Sequence, residues 1–443
     1  MTFRSSLLYA FHLIFPRTNK KSTARGSIIG AIICIGISLI PLVVVMSFAD
    51  GMISGMTQRI IGLSSCELKA VMRKASRQAS DYENLRHYSD QLKEIAGIQD
   101  CFPQIECDGL AAGKNYRTGT VVRAVESEIF LRNENFKNFF VVKDGSIDEF
   151  VKNNKSAVVG EKIAGLLNIK AGDTFRIIMT KSKGDGMVSP VVSSFKVAAI
   201  VSSGYQELDS MWIFIPIEKG FAVLPRESST ISVMIKTVDG VKSELSLLKH
   251  KCIEKSAGIA SVFMWNELNR SQFQNFSSTK VMLSFIMLLI VLVASVNISS
   301  ALVMLVMERR KEIAILKSIG GTNLGISVSF LIAGTTCGLT GTLIGLPVGV
   351  LCALNSNYLI IFLENLVNVF SKVIYIAGGN SASNYQAMHL LNPAYYLTEI
   401  PVSIPFGELF LISSSVILLS FVVSVIPAIK AGKERPLETF RKA

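Results

Sequence analysis

The sequence predicts an integral membrane protein with four transmembrane α-helices and a large α+β domain between the first and the second. Three observations carry this prediction. Half of the 443 residues are apolar, and the mean hydropathy of +0.44 is high for a soluble chain. Charge-free runs cover 26–49, 281–307, 318–363 and 409–429, and each reaches the roughly 20 residues that a bilayer core demands. Between the first two runs lie about 230 residues of mixed polarity, enough to bury a core of their own.

The elements follow in order. Residues 1–25 form a cytoplasmic N-terminus whose stretch TFRSSLLYAFHLIF (2–15) sets Phe3, Leu7, Phe11 and Ile14 on one helical face. Ahead of a basic patch, that pattern predicts an amphipathic helix lying in the membrane interface. Pro16 separates it from the first span, 26–49, where Pro41 is a candidate kink. The domain over 50–279 mixes patterns. Residues 83–97 read as a helix through Leu85, Leu92 and Ile95, whereas TGTVVRAV, AVVG, DTFRIIM, SSFKVAAIV and ISVMIK read as strands. Within it, 157–178 reads strand, helix, glycine turn, strand, with Gly172-Asp173 supplying the turn.

The second span is 280–307, with Ser295, Asn297, Ser299 and Ser300 as polar members that face another helix. A charged segment, 308–325, separates it from the third span. The third apolar run exceeds one span, so its helix is placed at 326–354. There Gly334, Gly338, Gly341, Gly345 and Gly349 favour close helix packing. A second outer segment (355–406), the fourth span (407–429) and a cytoplasmic tail (430–443) complete the chain. In the second outer segment, SKVIYIAGGNSASNYQ reads as a surface loop.

Charge placement sets the topology. The segments before the first span, at 308–325 and after 429 hold 14 bases against four acids, while 364–408 has Lys372 as its one base. Both termini and 308–325 are therefore expected in the cytoplasm and 50–280 outside. These segments account for most of the formal net charge of +12, so the charge is a topology signal and not a nucleic-acid footprint. Cys66, Cys101, Cys107 and Cys252 fall outside, where four cysteines permit three pairings or free thiols. The four scattered histidines offer no metal-ligand spacing. No G-x-x-x-x-G-K-[ST] phosphate loop is present, and no nucleophile–base pair stands in a motif. The chain gives no reason to be an enzyme or to bind a cofactor by itself.

The run ERRKEIAILKSIGGT (308–322), after LIVLVASVNISSALVMLVM (289–307), resembles the coupling segment of ABC permeases of the MacB/FtsX type. FKVAAIVSSGYQELDSMWIFIPIEKG (195–220), MSFADGMISGMTQRIIG (46–62), WNELNRSQFQNFSSTKVMLSFI (265–286) and LNPAYYLTEIPVSI (391–404) are similar to the lipoprotein-releasing LolC/LolE family. The resemblance implies a MacB-like (type VII) ABC permease in the bacterial inner membrane, its large domain periplasmic. Implied partners are a LolD-like ATPase dimer that holds ATP and Mg, a second LolC/LolE-type permease or a second copy of this chain, triacylated lipoproteins and a LolA-like carrier.

In this reading Ile313 and Leu316, with Ile319 a further turn on, fill a groove on the ATPase, while Glu308, Arg309, Arg310, Lys311 and Glu312 meet its charged rim; Lys317 and Gly320 belong to the same coupling segment. Acyl chains are expected against Ile40, Val43, Val44, Met46 and Phe48 of the first span and Met282, Phe285, Ile286 and Met287 of the second. The carrier-binding hook of one family subunit corresponds to 180–192, making Lys181, Lys183, Met187 and Pro190 the candidate loop, although the hook's proline-bearing sequence is not reproduced. LolC-like, LolE-like and self-pairing assignments stay open, as does a MacB/FtsX-type permease for efflux or signalling.

Overall fold

The computed structural model describes residues 8–10, 23–74, 81–183, 187–238, 245–378 and 402–434. The chain divides into two compact units, a helical one (1–51, 276–388 and 401–443) and an α+β one (52–275 and 389–400).

The α+β unit is built on a ten-stranded sheet. Its strands are β1 (Leu68–Met72), β2 (Ile98–Ala112), β3 (Arg117–Val125), β4 (Val141–Gly145), β5 (Ser156–Gly160), β6 (Thr174–Lys183), β7 (Met187–Ser202), β8 (Trp212–Pro216), β9 (Thr230–Thr237) and β10 (Ala260–Met264). The order is β10-β1-β9-β2-β3-β8-β5-β7-β4, with β6 pairing both β2 and β7. All five strands expected from the sequence are present. The others carry weaker signals. β8 is the buried run WIFIP, with no alternation to mark it. β2 contains Pro103, which sits one residue before pairing with β3 begins, so the missing N–H breaks no ladder bond on that side.

A helix over Tyr82–Lys93 packs Leu85, Tyr88 and Leu92 into the core, capped by Asp81, whose side chain accepts from the Asn84 N–H. The strand–helix–turn–strand reading of 157–178 also holds: a helix follows over Glu161–Leu167, and Gly172 adopts φ +91° before β6. Arg123 is among the largest fully buried side chains. Its Nη1 donates to the Leu63 carbonyl at 2.6 Å and its Nε lies 3.4 Å from Glu106, while the guanidinium stacks 4.5 Å from the Trp212 ring centre. Cys66, Cys101, Cys107 and Cys252 are buried free thiols. Burial pushes Cys66 up to about 12, with Glu67 adding to it, so this thiol stays protonated and unreactive.

We label the long helices α1 (Thr23–Ile60), α2 (Arg270–Glu308), α3 (Arg310–Ser318), α4 (Asn323–Leu354), α5 (Ser356–Ala377) and α6 (Phe406–Lys433). In the helical unit α1 runs without interruption through Pro41. The small residues of α4 divide their work. Gly334 and Gly338 receive Ser424 and Ser420 of α6, whereas Gly341, Gly345 and Gly349 receive Ile35, the Gly36 backbone and Val43 of α1. A Cβ at Gly345 would stand 2.7 Å from the Gly36 carbonyl oxygen, so two backbones touch here and only glycine fits. Asn297 donates to Cys34 Sγ at 3.0 Å, joining α2 to α1.

Among the described residues, five helices are long and apolar enough to cross a membrane. α5 was not anticipated; residues 371–377 of the expected surface loop are helical and form its end. The packing of α4 against α6 limits how it can be placed. Gly334 meets Ser424, Gly338 meets Ser420 and Gly432 meets Ser327, so α4 and α6 are antiparallel neighbours. α6 therefore starts on the side where α4 ends, and the intervening chain makes no net crossing. The interfacial helix expected at 2–15 lies outside the described residues except for 8–10, which are helical.

Candidate functional site

The segment 308–322 is a helix–turn bracket. α2 ends at Glu308 and α3 begins at Arg310. Gly320 closes the turn at φ +95°, a conformation that side chains resist. Thr322 caps α4 by accepting from the Gly325 N–H at 3.2 Å. Ile313 and Ala314 are buried in the apolar core of the helical unit. Ile313 thus cannot fill a groove on another chain: an i, i+3 count from Ile313 selects the inward face of α3. Of the three residues expected in that groove Ile319 does face outward, beside Ile315 and Leu324, with Ile319 and Leu324 about four-fifths exposed.

The charges divide as well. Lys317 Nζ donates to the carbonyls of Gly432 and Glu434, 2.6 Å each, and closes the C-terminus of α6. Arg310 Nε donates to Glu434 Oε1 at 2.6 Å, and Arg309 pairs with Glu312. Leu316 is half-buried, while Glu308, Lys311 and Glu312 are exposed. Arg310, expected at the rim of a partner, and Lys317, expected in the coupling segment, so have partners in their own chain. Sequence spacing gave no hint of this clasp because its halves lie over 100 residues apart.

Toward the opposite end of the helical unit, α1, α2 and α6 enclose an apolar cavity of about 130 Å³. Leu42 and Met46, then Ser284, Met287, Leu288 and Val291, then Glu408, Leu411, Ile412 and Ser415 line it. Of the nine residues expected to face acyl chains, Met46 and Met287 line this cavity. Val43 is buried against Gly349, and Ile40, Val44 and Phe48 are half-buried away from this lining. Met282, Phe285 and Ile286 are exposed on the outer surface of α2. The contribution of α6 was missed, because nothing in its sequence distinguishes a cavity wall from a lipid face.

An ionic cluster caps this cavity. Lys280 of α2 pairs with Asp50 of α1 and, at 3.3 Å, with Glu408 of α6, and Ser403 donates to Asp50 at 2.6 Å. Glu408 Oε2 is buried without a hydrogen-bond partner in a wall otherwise of apolar and serine side chains. In sequence these three charges simply mark span ends.

The expected carrier loop falls on the hairpin of β6 and β7, with Lys181 opposite Ser189, Thr180 opposite Pro190 and Lys183 opposite Met187. β2 reaches along β6 only to Ile178, so the two arms beyond it pair with each other. Residues 184–186 lie outside the described residues.

Two family models match in tandem. The MacB-like periplasmic core domain covers residues 28–245, and the FtsX-like permease C-terminal domain covers 284–436. The chain is a MacB/FtsX-type ABC permease. Among its relatives, the lipoprotein-releasing system transmembrane protein LolC of Neisseria meningitidis is 26% identical, across 82% of each chain. The corresponding LolE protein of Haemophilus influenzae is 23% identical, across 94% of this permease and 93% of its own length. The permease thus spans most of both kinds of relative, with its α+β unit in the periplasmic core domain.

Proposed function

We propose that this permease is the membrane subunit of an ABC complex that lifts lipoproteins out of the outer leaflet of the bacterial inner membrane. The observation that carries the reading is α6, which holds the coupling bracket at its C-terminal end and walls the apolar cavity at its N-terminal end. An event at α3 thereby reaches the cavity through the two Lys317 hydrogen bonds and the length of α6. Relatives named for lipoprotein release supply the cargo class. Both termini and α3 face the cytoplasm, in keeping with the clustering of bases there.

The chemistry of the steps is mechanical. Withdrawing an acyl chain costs about 0.8 kcal/mol per CH₂, so several chains together need external work. A separate LolD-like ATPase dimer, docked on the outward face of α3 through Ile315, Ile319 and Lys311, delivers that work. A second permease, either another LolC/LolE-type chain or a copy of this one, completes the complex. Methionines at 46 and 287 suit flexible chains of varied length. The β6–β7 hairpin, free of the sheet beyond Ile178, offers its edge to a LolA-like carrier.

The test is purification of the complex from its own membranes and reconstitution in proteoliposomes. ATP-dependent transfer of a triacylated lipoprotein to soluble carrier is the expected result. A complex that turns over ATP, holds no lipoprotein and moves small amphiphiles would replace this reading with efflux.

A further inference from the structure

α5 is an amphipathic helix in an unusual setting. Over its 22 residues the polar side chains Asn357, Glu364, Asn365, Asn368, Ser371 and Lys372 gather on one face, and the rest of the circumference is apolar. Its burial does not follow polarity as in a helix in water, since Asn357, Asn365 and Lys372 are exposed but much of the apolar face is exposed as well. Glu364, Asn368 and Ser371 are half-buried, while Phe362, Val369, Phe370 and Val373 are about three-fifths exposed. The central apolar window of α5 has no buried residue. A helix that turns its apolar face outward needs an apolar solvent.

The topology says which one. α4 leads directly into α5 through Asn355, so α5 starts where a span leaves the membrane. Because α6 begins on that same side, α5 does not cross. The sequence 379–401 holds Pro393, Pro401, His389 and Glu399 and offers no apolar run of span length for a return.

We propose that α5 lies flat in the phospholipid leaflet opposite the coupling bracket, its apolar face sunk among acyl chains. Glu364 and Lys372 cancel, so the attachment rests on apolar area and not on anionic headgroups. A helix so placed continues the lipid-facing surface of α4 beside the leaflet from which cargo is taken. The inference needs only that the chain is a membrane permease. Naming that leaflet the outer one rests on the orientation proposed above.

The test places benzoylphenylalanine at Phe370 or at Asn368 of the full-length permease, held with its partner chains in phosphatidylcholine nanodiscs. Illumination is followed by mass spectrometry of the adducts. Phospholipid adducts at 370, lost at 368 and unchanged when anionic lipid is added, are expected. Protein adducts at 370 would show that a neighbouring chain covers this face and overturn the proposal. Equal lipid adducts at both positions, or none at either, would overturn it too. Since the assay requires neither lipoprotein nor ATP, it can fail while the transport reading stands, and the reverse.

Discussion

Lys317→Met removes the ammonium that closes α6 while keeping most of the apolar stem. The wild-type side chain makes two bonds of 2.6 Å to the carbonyls of Gly432 and Glu434. Hydrogen bonds from a charged donor contribute about 1.5–3 kcal/mol each when sheltered. Here Lys317 is half-buried and water can replace it at both carbonyls, so about 2 kcal/mol for the pair is the better figure, or roughly 30-fold in local opening. Native-state hydrogen exchange of the amides in the last two turns of α6 reads that opening directly. The expected result is faster exchange confined to those turns, with the ATPase still bound and ATP hydrolysis no longer linked to lipoprotein release. Unchanged exchange together with wild-type release would refute the clasp. Loss of ATPase binding with unchanged exchange would return Lys317 to the partner's rim.

Four further outcomes are expected. Arg310→Glu should impair release, and Arg310→Glu with Glu434→Arg should restore it; a double variant as poor as the single one would place Arg310 against the ATPase instead. The pair is half-exposed, so stability itself should move by no more than about 1 kcal/mol. Gly345→Val forces a branched side chain onto the Gly36 backbone and should lower the melting temperature of the purified permease, at a cost of about 3 kcal/mol or less if α1 yields; an unchanged melting point would contradict the close approach. Met287→Trp should fill the cavity and reduce bound lipoprotein without altering membrane insertion, measured by co-purification.

Asp100 gives a pH test. Burial raises its carboxyl, but bonds from Lys93 and the Cys101 N–H and the charge of Arg132 outweigh this and leave it below the ordinary range. A carboxylate with a depressed folded pKa stabilises the fold above its unfolded value of about 3.9 and loses that contribution as pH falls further. Denaturation of the α+β unit by acid should therefore be shallower below pH ~4 in Asp100→Asn. Identical acid titrations of the two proteins would exclude the effect.

What the sequence made legible follows from range. The spans are legible because each is a local run, and the glycines of α4 because close packing demands small residues wherever it occurs. Strands with alternating or β-branched patterns stood out, whereas β2 hid behind Pro103 and β8 behind an unbroken apolar run. The site was harder. Met46 and Met287 were found by chemistry, but the wall from α6 and the Asp50–Lys280–Glu408 cap join residues more than 100 positions apart. Ile313 and Ile315 differ by two places, and a helical pattern alone does not say which of two apolar stripes meets the bundle. α5 escapes a sequence reading because the charge-free run ends inside it, at Leu363, and its last turns (371–377) fall in a stretch that reads as surface loop.

The contacts of Gly334 and Gly338 with Ser424 and Ser420 have one more consequence. They grip α6 between its two working ends, as Ser327 grips Gly432 further along, and a tilt of the helix about the 420–424 contact would turn there. From Ser424 to Gly432 the arm is about 12 Å, and from Ser420 to Glu408 about 18 Å, at 1.5 Å per residue. Any swing about that point arrives at the cavity reversed in direction and enlarged by roughly half, so a 2 Å pull on the Gly432 end carries Glu408 about 3 Å the other way. A displacement of that size exceeds the reach of a hydrogen bond to Lys280, and it sets how little movement at the bracket would be needed to unseat the cap.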